Sequence, residues 1–264
     1  MNNTFDFRRF GFLFRKTLLE RPVQLFGFTG LIFAVIFITY FICKMLIGIG
    51  PAQNISFIWG MAGGGCFLAS FLFSYFSTSA SGSSYLTLPA SSFEKWLCGV
   101  IIAEILYPLL FLVFFRGIDT MFVTIYHNSL DPASPLYKSM FDSVFIFAFD
   151  GRVAEKVYQI FFLLTGIGVV GSLYFNKVNF IKTALVFCVV CFAAWGINWL
   201  MAIIIFGHIN DAFPFHGVDI PVGKIDGSVD LPAIPAKIYN VFSDLIFPIS
   251  LWLVSFVRLK EKEF

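Results

Sequence analysis

Glu104 stands alone among Ile101, Ile102, Ile105 and Leu106, inside a long apolar stretch. A carboxyl group in such surroundings is costly, so it must face protein or water. Two roles are open to it: contact with a substrate or a proton, or a hydrogen bond to a neighbour such as Asn198 or Ser70. Gly166-Ile-Gly168-Val-Val-Gly171 has the spacing of a dinucleotide fingerprint, but it sits in an apolar helix pattern with no strand before it. Close approach of helix backbones accounts for it better, and the same holds for Gly60-Met-Ala-Gly-Gly64. His208-Ile-Asn-Asp211 and His216-Gly-Val-Asp219 combine ligand types that zinc accepts. Two such pairs in a polar loop, with no helix to align them, do not amount to a metal centre, and none is predicted. Cys188-Val-Val-Cys191 has a redox spacing, yet in an apolar helix it reads as two small packing residues. No Gly-x-x-x-x-Gly-Lys-Ser/Thr loop occurs. ATP phosphates therefore have no cradle in this chain, and neither a catalytic residue nor a cofactor is predicted.

The elements that must carry these residues follow from composition. Of the 264 residues 58% are hydrophobic, 13% are charged and 37 are Phe. Soluble domains carry about 25% charged residues, so this chain mostly faces hydrocarbon, which excludes an ordinary soluble enzyme. The 18 Lys and Arg nearly balance 16 Asp and Glu, leaving +2, too even for a nucleic-acid partner. Apolar runs at 23–48, 55–77, 97–115, 157–175, 183–206 and 238–257 each approach the length of about 20 residues that crosses a bilayer as a helix. The predicted fold class is all-α: one polytopic membrane domain over 1–264 with about six transmembrane helices. The first run is too long for a cleavable signal and reads as a retained anchor. All five cysteines lie in or at the ends of apolar runs, so no external disulfide framework is expected.

With the N-terminus inside, the inner segments hold Arg8, Arg9, Arg15, Lys16, Arg21, Lys95, Lys177, Lys182, Arg258, Lys260 and Lys262, eleven of the 18 cations. That asymmetry favours cytoplasmic N- and C-termini. Two longer connections, 116–156 and 207–237, are then extracytoplasmic. The first contains the apolar piece Phe141–Phe149, too short to span, which is expected to lie on the membrane or pack against outer helix ends. The second is rich in Pro and Gly and suits turns and short extended pieces. Within residues 1–22, Arg8, Arg9, Arg15 and Lys16 fall on one helical side and Phe7, Phe10, Phe14 and Leu18 on another. This pattern predicts an amphipathic helix at the membrane interface, its cations meeting lipid headgroups.

The segment 78–96 is the most informative polar stretch. A Ser/Gly run leads to Leu88-Pro89, after which Ser91 or Ser92 can cap a helix with Glu94 in its first turn. Tyr85-Leu-Thr-Leu-Pro-Ala-Ser-Ser-Phe-Glu-Lys-Trp-Leu97, following the second of six spans and a basic amphipathic helix, resembles the permease subunits of type-two ABC exporters. The resemblance implies a coupling segment on the cytoplasmic face, with Leu86, Leu88, Pro89, Ser91, Ser92, Phe93, Glu94 and Lys95 meeting an ATPase. It also implies a permease dimer in a bacterial inner membrane, with ABC ATP-binding subunits in trans and an alternating-access mechanism. Many members of that family carry basic residues straight after the serine, where this chain has Phe93-Glu94. The competing reading is a membrane scaffold or assembly factor whose outer loops bind a partner without transport.

Overall fold

The computed structural model describes residues 5–262 except 21, 74–81, 83, 86, 176–178, 208–210, 214–216, 223–224 and 231. Among these, six helices are long and apolar enough to cross a membrane, which makes the chain an all-α, multi-pass membrane protein. An amphipathic helix, α1 (Phe7–Glu20), precedes them. The spans are α2 (Leu25–Ile47), α3 (Ile49–Leu72), α4 (Ser92–Asn128), α6 (Arg152–Tyr174), α7 (Phe180–Phe206) and α8 (Lys237–Glu261); α5 (Tyr137–Phe141) is a short helix between α4 and α6. Six crossings leave both chain ends on one face, here the near face. The opposite surface is the far face.

Span boundaries differ most from expectation at α4. Its apolar run ends before Arg116, yet the helix continues to Asn128, because both charges that follow are satisfied inside the bundle. Arg116 donates to the Phe147 carbonyl at 3.0 Å, and Asp119 is fully buried with three donors around it. The predicted connection 116–156 therefore shrinks to 129–151. Between α2 and α3 the chain turns on Gly48 alone, at φ 94°, a left-handed conformation that glycine adopts without steric cost. These two spans form a tight antiparallel hairpin.

Among the described residues, single wide turns of π-helix occur in four spans, at Val23–Gly27 where α2 begins, Trp59–Gly63 in α3, Ile102–Leu106 in α4 and Phe242–Ile246 in α8. Such turns insert an extra residue into a helix and are frequent at functional positions. Two of them carry acids, Glu104 and Asp244.

Aromatic packing fills the core. Toward the far face, Phe57 is enclosed by Phe111, Phe115, Phe147 and Phe149, with Tyr40 stacked on Phe122. Toward the near face, Leu13 of α1, Phe73, Tyr85, Ala103, Leu173 and Leu259 close a second cluster. The apolar piece Phe141–Phe149 packs against the helix ends, Phe147 entering the far-face cluster. The second long connection folds into an antiparallel meander of β1 (Asp211–Phe213), β2 (Gly217–Val222) and β3 (Ile225–Asp230), pairing Ala212 with Val218 and Val218 with Val229. The short extended pieces predicted there are thus strands of one small sheet. His208 and His216 lie outside the described residues; among those described, no group of His, Cys, Asp or Glu could hold a metal ion.

Candidate functional site

On the near face, Ser91 adopts an extended conformation and caps α4: its hydroxyl accepts the Glu94 N–H, while Glu94 reaches back to accept the Ser91 N–H at 2.9 Å. This reciprocal cap is the pattern that Ser-x-x-Glu encodes. Glu94 does more than cap. Its carboxylate also accepts from Arg9 Nε at 2.8 Å, Arg9 Nη2 at 2.6 Å and the Asp6 N–H at 2.9 Å. Four donors from two distant segments converge on one side chain that is 0% exposed. The two parallel bonds from Arg9 form the planar fork that lysine cannot supply. Asp6 in turn accepts the Arg8 N–H at 2.8 Å, capping α1. A single carboxylate thereby fastens the amphipathic helix to the start of α4.

Around this knot, Lys95 is fully buried beside Tyr85, whose hydroxyl faces the Lys95 carbonyl. Trp96 donates to Ser255 Oγ at 2.8 Å, joining α4 to the near end of α8. Phe93 is half-exposed and packs edge-on against Phe5 and Phe256. Leu88 is half-buried against the near-face core, while Pro89 stands exposed. A groove of about 440 Å³ separates α1 from the Leu88–Ala90 bend, with Arg8, Phe12, Lys16, Leu88 and Pro89 on its walls.

Several predicted contact residues take other places. Glu94 and Lys95, expected to meet a partner chain, have no exposed surface to offer one; Ser91 caps the helix, and Leu86 lies outside the described residues. Arg9, expected among the headgroup-facing cations, turns inward to Glu94 because a buried carboxylate is the stronger acceptor. Arg8, Arg15 and Lys16 stay exposed, Lys16 4.0 Å from Glu20. Phe10 and Phe14 pack on the near-face core, whereas Phe7 is 82% exposed. Cys188 and Cys191 are exposed on α7, and Cys191 lines the seam with α6 and α8.

Glu104 occupies the wide turn of α4 beside Thr165 of α6. Both its carboxyl oxygens are buried without a hydrogen-bond partner. Neither expected bond forms: Ser70 donates to the Cys66 carbonyl of its own helix, and Asn198 Nδ2 is itself buried and unpartnered. Thr165 donates instead to the Phe161 and Phe162 carbonyls. Gly60, Gly64, Gly166, Gly168 and Gly171 each lie where another helix or side chain approaches closely. A Cβ on Gly64 would overlap the Tyr107 hydroxyl, and one on Gly168 would come within 2.9 Å of the Cys66 carbonyl.

Sequence reasoning missed Asp119. It accepts from Tyr40 at 2.8 Å, from Gln53 at 2.8 Å and from the Phe147 N–H at 2.7 Å, and Gln53 also donates to the Phe145 carbonyl. The available signal was three polar residues at the far ends of three consecutive spans, which lipid would not tolerate unless they met. No family model, curated protein or solved structure matches the chain. Fold and site together define an all-α, multi-pass membrane protein with polar knots at both ends of its longest span.

Proposed function

We propose that this chain is the membrane-spanning permease subunit of an ATP-driven exporter, working as a homodimer with ATP-binding subunits bound in trans on the near face. The observation that carries the reading is the Glu94 knot beside the groove at Leu88 and Pro89. A body seated in that groove would move α1, the bend and the first turn of α4 as one, because a single carboxylate ties them. Its push would tilt α4 against the second copy and alternate access between the faces. The groove walls are apolar and mainly basic, with Arg8, Arg9 and Lys16 against the single acid Asp6, suited to a protein surface carrying acids around an apolar tip. In this reading the near face is the cytoplasmic side of a bacterial inner membrane, as the clustering of Lys and Arg in near-face segments favours. The chain itself does no catalysis.

The test is to co-express the chain with an ATP-binding polypeptide encoded beside it. ATP hydrolysis by the purified pair is the expected result. Leu88→Glu with Pro89→Glu should leave the protein in the membrane with its helices intact and release the ATPase in a pull-down. An ATPase that stays bound to this variant would sink the coupling role.

The sheet at Asp211–Asp230 favours a second reading, a scaffold whose far-face connection binds a partner without transport. Its outer strands β1 and β3 each pair with β2 on one side among the described residues, and an extended partner segment could add to such an edge. Deleting the sheet would then lose the partner, whereas the exporter reading requires the ATPase to stay bound.

A further inference from the structure

A second, larger cavity lies away from the Glu94 knot, in the seam between α6, α7 and α8. Its volume is about 750 Å³ and it is open along one side, within the range of about 300–1,000 Å³ that holds small ligands. The walls follow helical periodicity. Leu163, Ile167, Val170 and Tyr174 share one face of α6, and Thr183, Val186, Val190 and Ala194 share one face of α7. On α6 and on α7 the lining covers twelve residues, about 17 Å of rise. One leaflet of hydrocarbon is about 15 Å deep. Along α6 and α7 the seam is therefore an apolar trough about one leaflet high, while on α8 its lining reaches from Leu251 back to Tyr239.

The near-face end of the trough has a different character. The Arg258 guanidinium lies 4.6 Å from the ring centre of Tyr174, and Lys182 Nζ lies 6.0 Å from that of Phe175; both rings line the cavity. Arg258 follows Leu251 by seven residues, so it falls on the same side of α8 as that lining residue. Glu261 engages one guanidinium nitrogen at 2.7 Å, while Arg258 Nε is buried with no acceptor. A buried charged donor without an acceptor is costly, and Arg258 and Lys182 border the trough through the Tyr174 and Phe175 rings that line it. Gly171 lets α7 approach α6 at this end, since a Cβ there would overlap Thr183. Farther along, α7 is almost wholly exposed and touches little else in the chain.

We infer that this trough holds a glycerophospholipid with an anionic headgroup, taken from the near-face leaflet, its acyl chains between α6 and α7 and its phosphate on Arg258 and Lys182. Basic groups at the ends of crevices between spans recognise such headgroups, and the apolar walls exclude the water that would otherwise hydrate the phosphate. The lipid fills the gap that α7 leaves and joins that helix to α6 and α8. This inference does not depend on the exporter reading.

The test uses the full-length protein reconstituted in equimolar phosphatidylglycerol and phosphatidylcholine, with the lipid that stays on the protein counted by native mass spectrometry. Phosphatidylglycerol should be retained over phosphatidylcholine. Arg258→Gln and Lys182→Gln should each lower its retention about fivefold, with phosphatidylcholine unchanged. Arg258→Lys should keep the preference, and Val190→Trp, which fills the trough, should lower retention of both lipids. Equal retention of the two lipids by the unaltered protein would overturn the inference, as would undiminished phosphatidylglycerol on the double Gln variant. So would efficient disulfide cross-linking of two copies through Val190→Cys in a protein with its five native cysteines replaced, since the trough would then be a subunit interface.

Discussion

Asp119 holds the far face together by accepting hydrogen bonds from three parts of the chain at once. Replacing it with Ala leaves the Tyr40 hydroxyl and the Phe147 N–H buried without acceptors, while Gln53 keeps the Phe145 carbonyl. Two orphaned donors predict a loss of about 2–6 kcal/mol in unfolding free energy, read by thermal or denaturant unfolding of the purified protein. Proteolysis within 129–151 should also quicken, because Phe145–Phe149 loses its anchor. Asp119→Asn, which keeps an acceptor, should cost less on both counts. Among single residues, legibility in the sequence followed distance along the chain. The Ser91–Glu94 cap was readable because its members are three residues apart. The Arg9–Glu94 and Tyr40–Asp119 bonds join residues 85 and 79 positions apart, and no local pattern encodes such pairings.

Helices in this protein meet where glycine permits it. Gly64 of α3 sits against Tyr107 of α4 and Ile32 of α2, so Gly64→Ala forces an overlap in a packed core. A cost of about 1–3 kcal/mol is expected from overpacking. Gly30 of α2 has nothing within 4 Å of an added Cβ, and Gly30→Ala should leave unfolding unchanged; equal losses from both would contradict the packing. The glycine motifs in α3 and α6 marked these contacts in the sequence, since small residues at helical spacing have few other uses in lipid. Span boundaries were less legible. Hydropathy stopped the third run at Arg116 because a charge was read as exposure, whereas here Arg116 stacks over Phe149 and donates to Phe147. The wide turns at Trp59–Gly63 and Ile102–Leu106 had no signature in the hydropathy pattern.

For the molecule as a whole, six crossings put α1, the Leu88–Ala90 bend and the chain's C-terminal end on one face, with α5 and the three-stranded sheet on the other. Single cysteines introduced at Pro89 and at Ser134, in a protein stripped of its five native ones, should react with an impermeant maleimide from opposite sides of a sealed vesicle. Reaction of both from the same side would show that α4, the one span between them, does not cross. The number of spans was legible because hydrocarbon demands uninterrupted apolar runs. How they touch was not, as packing partners leave no periodic trace. One dimension of the bundle then acquires meaning. At 37 residues, α4 is a rod of about 55 Å, too long to hide in about 30 Å of hydrocarbon at any ordinary tilt. It emerges on both sides, bearing Glu94 at one mouth and Asp119 at the other, about 38 Å apart. Pulling on the clasp at one surface would thus tug the strap of Phe145–Phe149 at the other through one continuous helix that passes the wide turn around Glu104.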